Sequence, residues 1–124
     1  VLEKLQLLNL DGVHFTAIEY KPSHRQGMTI IPQYHNEICN GIELEITDWN
    51  EFDPLETATS IIITIQKLYP REFQWAPNDY IDRLYGSNVL RTFVAQKKPA
   101  DYLPPLWFHD VMRFSEFRKR FLIY

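Results

Sequence analysis

The spacing of apolar residues changes period within one short stretch, and this constrains the fold more than any other feature. Ile42, Leu44 and Ile46 alternate with polar residues, which predicts a strand with one buried and one wet face. Between residues 55 and 69 apolar side chains instead recur every three or four positions, until Pro70. A strand followed this closely by a long helix predicts an α+β domain rather than a doubly wound sheet.

The start of that helix carries its own signals. Asp53 is a capping residue, Pro54 suits the first helical position, and Glu56 can reach back to the cap. The expected apolar stripe of this helix consists of Leu55, Ala58, Ile62, Ile65 and Tyr69. These local signals outweigh the β-branched residues that would favour a strand.

Similar patterns predict the remaining elements. A helix ends near Leu8, a strand with a possible bulge at Thr16-Ala17 covers 13–20, two short helices flank Gly86, and a last helix starts at Pro104. We therefore expect a single domain over residues 1–124, with a small antiparallel or mixed sheet packed against three to five helices. The last helix should bury one stripe (Trp107, Val111, Phe114, Phe117 or Arg118, and Phe121), and the apolar tail 121–124 should be docked.

Charge and cysteine content exclude several classes of protein. A net charge of −3 over 124 residues gives no attraction to nucleic acid, and the longest apolar run, 61–63, cannot span a membrane. Cys39 is the single cysteine, so an internal disulfide is impossible. The chain starts inside a helical pattern without a Met, so we expect it to be part of a longer protein.

No catalytic, metal or cofactor motif is present in the sequence. The four histidines and Cys39 lack metal-ligand spacing, the glycines form no phosphate loop, and we expect neither metal nor cofactor. A nucleophilic pair of Cys39 and His35 is disfavoured by the nearby Glu37. Glu43 and Glu45 share one strand face, as a glycosidase pair could, but acidic residues on a wet face give the same pattern.

The segment from Lys21 to Asn40 is the best candidate for binding. It lacks a sustained period, and irregular loops of this length are commonly functional. Arg25 can capture a carboxylate with two hydrogen bonds, while Lys21 and Tyr34 lie in the same stretch. A surface arginine without a ligand is the competing interpretation.

An ordered set of short motifs then points to a family. The set comprises Leu10-Asp11-Gly12-Val13, Tyr20-Lys21-Pro22, Cys39-x-Gly41-Ile42, Leu68-Tyr69-Pro70-x-x-Phe73-x-Trp75 and Phe117-Arg118-x-x-Phe121-Leu122-x-Tyr124. In this order they resemble the C-terminal domain of the NamZ-type exo-β-N-acetylmuramidases, glycoside hydrolase family 171, first described as a domain of unknown function.

The resemblance implies an auxiliary domain that supports a substrate cleft. Its partners would be an N-terminal Rossmann-like catalytic domain of the same protein, absent from this chain, and peptidoglycan fragments that lose terminal N-acetylmuramic acid. It also implies a periplasmic or extracellular location. Arg25, Tyr34 and Lys21 would bind substrate, and catalytic residues would lie outside this chain.

Two alternatives remain open. The chain could be a stand-alone carbohydrate- or protein-binding module without catalytic activity, or an independent hydrolase that uses Glu43 and Glu45. A coding sequence that continues upstream of Val1 into alternating strands and helices would favour the auxiliary domain.

Overall fold

The computed structural model describes residues 1–24, 27, 31–97 and 104–123, except the side chains of 104–106. Its contacts divide the chain into two compact units, Val1–Pro54 and Leu55–Tyr124. Among the described residues, no helix combines the length and the apolar character needed to cross a membrane.

The first unit is a short helix and a β-hairpin. Helix α1 (Leu2–Gln6) precedes strand β1 (Val13–Tyr20), which pairs with β2 (Cys39–Ile46) in antiparallel register. The register joins Val13 to Ile46 and Tyr20 to Cys39 without interruption, so the bulge expected in β1 does not form within these eight pairs. The segment between the strands is therefore a long hairpin loop.

One face of the hairpin packs under α1. Phe15 and Leu5 are both buried, and the Gln6 side chain donates a hydrogen bond of 3.1 Å to the Phe15 carbonyl oxygen. The predicted apolar face of β2 is less covered than expected, since Leu44 is 39% exposed and its neighbours Ile42 and Ile46 are half-buried. A five-residue helix is too short to cover a face eight residues long.

The turn after β2 closes on Gly12. The Gly12 carbonyl oxygen accepts hydrogen bonds from the Thr47 and Asp48 amides at 2.9 and 3.3 Å. The Asp48 side chain also accepts a hydrogen bond of 2.8 Å from the Asn50 backbone amide, which forms an Asx turn. Gly12 has φ +68°, and an added Cβ would lie 2.5 Å from the Asp48 carbonyl oxygen, so only glycine fits.

The second unit is helical. Its elements are α2 (Pro54–Leu68), α3 (Tyr80–Tyr85), α4 (Val89–Ala95), α5 (Pro104–Arg118) and a 3-10 helix (Lys119–Phe121). Ile63, Leu90, Phe93 and Val94 form its buried core. Half-buried Ile62, Trp75, Ile81, Tyr85 and Trp107 pack against this core.

Helix α2 begins and ends where the sequence predicts, but it buries a different face. The buried residues are Thr57, Thr59, Ser60 and Ile63, whereas Leu55, at the start of the predicted stripe, is 39% exposed. Small hydroxyl residues tolerate burial because they can bond to their own helix: the Thr59 hydroxyl lies 2.8 Å from the Leu55 carbonyl oxygen.

The predicted burial of α5 was wrong for most of its stripe. Trp107 packs on the core as expected, but Val111 and Phe114 are 55% and 63% exposed. The tail is exposed as well, with Phe121 at 68% and Ile123 at 96%. The spacing of apolar residues identifies an apolar face of a helix, but that face is buried only if another surface packs against it. The described residues provide no such surface for most of this face of α5.

These elements confirm the α+β class. The described residues hold a two-stranded antiparallel sheet and five α-helices, within the predicted range.

Candidate functional site

The predicted binding segment is a hairpin loop with a closed base. The Asn36 amide donates a 2.8 Å hydrogen bond to the Pro22 carbonyl oxygen, and Tyr34 accepts the Glu37 amide at 3.0 Å. Lys21 is exposed, and Tyr34 is 57% exposed with φ +58°. Both therefore lie at the base of one loop and face water. Arg25 lies outside the described residues.

The other polar residues of this segment bond locally. The His35 Nδ1 atom lies 3.0 Å from the side-chain Nδ2 of Asn36, and the Cys39 thiol donates to the Glu37 carbonyl oxygen at 3.8 Å. Cys39 is half-buried. These contacts give His35 and Cys39 separate partners, in keeping with a structural thiol.

The acidic pair on β2 lies on an open surface. Glu43 and Glu45 are exposed, and they face Thr16 and His14 on the neighbouring strand. This arrangement matches a solvated strand face. Within the described part of the chain, no three His, Cys, Asp or Glu side chains come close enough to hold a metal ion.

A cleft of about 360 Å³ lies within the helical unit, and sequence reasoning did not find it. Trp107 and Tyr85 contribute aromatic rings anchored on the core, and burial raises the pKa of the Tyr85 hydroxyl. Asp110 contributes a carboxylate. The remaining lining residues are Leu55, Gly86, Ser87 and Val89. The cleft thus combines aromatic surfaces with a few polar groups, as ligand sites commonly do.

An ion pair fixes the wall of this cleft. Arg91 on α4 binds the Asp82 carboxylate on α3 through two nitrogens, with Nη2 at 2.6 Å and Nε at 3.1 Å, and Nη2 lies 3.4 Å from Asp79. The hydrogen bonds from Arg91 lower the pKa of Asp82, and the same bonds raise the pKa of Arg91. This pair of hydrogen bonds spans the turn at Gly86 and holds the two short helices in one arrangement.

A second, shallower recess continues along α5. It measures about 280 Å³ and is lined by Asp110, Arg113, Phe114 and Phe117. Asp110 lines both recesses and is their shared border, and we call the two neighbouring recesses together the α5 groove.

Comparisons with known proteins agree with the motif pattern. The family model described as exo-β-N-acetylmuramidase NamZ, C-terminal, matches residues 1–124. The peptidoglycan β-N-acetylmuramidase NamZ of Bacillus subtilis (strain 168) is 30% identical over 122 residues, which cover 98% of this chain and 28% of that protein.

The fold is also similar to a solved structure. A crystal structure of a DUF1343 family protein from Bacteroides fragilis matches with a TM-score of 0.75 at 23% identity, over 100% of this chain and 33% of that one. At this identity the likeness shows the fold alone. The chain therefore spans about a third or less of the length of these relatives.

Proposed function

Because the chain belongs to the family of NamZ C-terminal domains, we propose that it is the auxiliary, cleft-supporting domain of a peptidoglycan-degrading exo-β-N-acetylmuramidase. The full protein would release terminal N-acetylmuramic acid. One observation carries the proposal: the family model matches the chain from end to end. The 30% identity to a muramidase of that name over 122 residues agrees with it.

In this proposal the catalytic groups belong to an upstream domain of the same polypeptide. The B. subtilis relative is more than three times as long as the matched region, which leaves room for such a domain. The exposed apolar residues of α5 support a protein partner, since Phe108 is 63% and Met112 50% exposed. Large exposed apolar patches commonly mark interaction surfaces.

The proposal predicts that the 124-residue chain has no glycosidase activity. The full-length gene product should cleave a chromogenic muramic acid glycoside, and the isolated chain should not. Glu43→Gln and Glu45→Gln should leave turnover by the full-length protein unchanged, because both side chains lie on an open surface. Turnover by the isolated chain that either substitution abolishes would establish the independent hydrolase instead.

We also propose that the hairpin loop faces the substrate. The exposure of Lys21 and Tyr34 at its base is compatible with contact to a sugar. Arg25 belongs to the same segment of the sequence. In the full-length enzyme, Arg25→Ala should raise KM for muramic acid substrates more than for analogues without the lactyl carboxylate. Equal losses on both, together with a lower Tm, would mean that the loop only stabilises the protein.

The substrate implies a location, which we propose to be periplasmic or extracellular. Peptidoglycan lies outside the cytoplasmic membrane, so an enzyme that acts on its strands must reach it there. Fractionation of cells that produce the full-length protein tests this, and recovery in the cytoplasm alone would contradict it.

A further inference from the structure

We propose that the α5 groove is a carbohydrate subsite that takes an anionic amino sugar, with the sugar ring against Trp107 and the acidic substituent at Arg113. The inference rests on the proposed function for the class of ligand. The groove itself is defined by the helical unit alone.

The aromatic end of the groove is rigid. Trp107 is half-buried and packs on the core of Ile63, Leu90, Phe93 and Val94, and Tyr85 packs on the same core. A ring anchored in this way loses little conformational freedom when a ligand binds. The C–H face of a pyranose is apolar, so it stacks on an indole while the hydroxyl groups point to the rim. A recess of about 360 Å³ falls within the size range of small-molecule sites.

The opposite wall gives a ligand access to the backbone. Gly86 has φ +85°, and a Cβ added there would meet no atom within 4 Å, so the space beside it is open. The Ser87 Oγ lines the recess and accepts the Val89 amide at 3.4 Å, so its hydroxyl hydrogen is not used by this bond. The Asp82–Arg91 pair holds this wall in place.

The charged residues follow the aromatic end at helical spacing. Asp110 lies three residues after Trp107, and Arg113 lies three residues further. At 1.5 Å per residue, Arg113 is ~9 Å along the axis from Trp107, about one sugar ring and a short substituent. Neither Asp110 nor Arg113 takes part in the ion pairs that Arg91 and Lys119 form.

The two charged residues suit different parts of one ligand. Asp110 borders both recesses, and its carboxylate can accept hydrogen bonds from sugar hydroxyls or an amide N–H beside the ring. Arg113 lies only in the outer recess, where its guanidinium matches a carboxylate with two parallel hydrogen bonds. A neutral ring followed by an acidic substituent meets both requirements, as in N-acetylmuramic acid.

The test is a titration of the 124-residue chain followed by amide and indole NMR signals. The probes are N-acetylmuramic acid and N-acetylglucosamine, which differ by the lactyl carboxylate. We expect shifts at Trp107, Ser87 and Arg113, and at least about tenfold tighter binding of the acidic sugar, as a charge-assisted hydrogen bond supplies.

Variants separate the two ends of the groove. Because the hairpin loop is proposed to meet the same carboxylate at Arg25, each variant is made in a chain that also carries Arg25→Ala. In that chain Arg113→Gln should remove the preference for the acidic sugar while weak binding of both persists, whereas Arg118→Gln, on the same helix but outside the groove, should change neither. Trp107→Phe retains an aromatic ring on the core and should weaken both sugars alike. Spectral dispersion of each variant shows that it is folded.

Several results would overturn the inference. These are equal affinity for both sugars, unchanged preference in Arg113→Gln, or shifts confined to residues outside the groove. If the full-length protein cleaves muramic acid glycosides but the NMR signals of the groove residues do not shift with either sugar, only the proposed subsite is wrong. If the groove binds as expected but the full-length protein has no such activity, the proposed function is wrong and the chain is a carbohydrate-binding module.

Discussion

Replacement of Gly12 by alanine should destabilise the hairpin unit strongly, because two independent costs meet at this residue. Its φ of +68° lies in the left-handed region, where a side chain costs about 1–2 kcal/mol. The new Cβ would also lie 2.5 Å from the Asp48 carbonyl oxygen and 2.5 Å from the Phe52 nitrogen. Both are backbone atoms, so the turn after β2 must move to make room.

That movement disturbs hydrogen bonds as well as packing. The Gly12 carbonyl oxygen accepts the Thr47 and Asp48 amides, and the Phe52 amide donates to Asp48 at 3.0 Å. Loss of one or two such bonds costs about 0.5–1.5 kcal/mol each. Together with the backbone term, we expect a loss of about 2–4 kcal/mol for Gly12→Ala.

Gly86→Ala is the matched control. Gly86 also has a positive φ, +85°, but an added Cβ meets no atom within 4 Å, so only the backbone cost of about 1–2 kcal/mol applies.

Local stability is the appropriate measurement because the chain forms two compact units. Amide hydrogen exchange at Phe52 and Thr47 reports the hairpin turn, and exchange at Gly86, whose amide donates to the Asp82 carbonyl oxygen, reports the control. Equal losses in the two variants would refute the argument that the close approach of the turn to Gly12 matters.

Three further predictions concern the core, an ion pair and the loop. Phe93 is 4% exposed, so Phe93→Ala should lower the free energy of unfolding, measured with a chemical denaturant, by about 3–5 kcal/mol. Leu84 is 67% exposed, so Leu84→Ala should change this free energy by no more than about 0.5 kcal/mol. Arg91 lowers the pKa of Asp82 below 3.8, so their pair stabilises the folded state above that pH and loses its effect as the pH falls through the lowered pKa. Asp82→Asn should therefore lower Tm at neutral pH and approach the unaltered protein in strong acid, and a constant deficit at all pH values would contradict this. Tyr34→Ala should raise KM of the full-length enzyme with little change in Tm, since the ring is 57% exposed, and a lower Tm with unchanged KM would exclude it from binding.

The secondary structure was predictable because its signals are local. Pro54 begins α2 and Pro104 begins α5, where a fixed φ and a missing amide suit the first turn. Gly86 ends α3 in the left-handed conformation that glycine adopts without strain. Alternation predicted β2, and a high content of β-branched and aromatic residues predicted β1; the irregular segment between them connects the two strands of a hairpin.

The candidate groove was not predictable in this way. Asp82 and Arg91 are nine residues apart on different helices, and no periodic signal links them. Trp107 was expected to be a core residue, and it is, but its exposed part also lines a cleft. The signal that could have found the groove is the polar pair Asp110 and Arg113, three and six residues after Trp107.

The sequence by itself predicted the type and order of the helices and strands and the start of α2 and α5, because caps, turns and apolar period act within a few residues of one another. Only the tertiary structure decided which faces are covered: α2 buries Thr57 and Thr59 rather than Leu55, and α5 leaves Phe114 exposed. Burial depends on the surface that a distant part of the chain presents to a helix face. The spacing of apolar residues in the sequence can identify an apolar helix face, but it does not show whether another part of the chain covers that face.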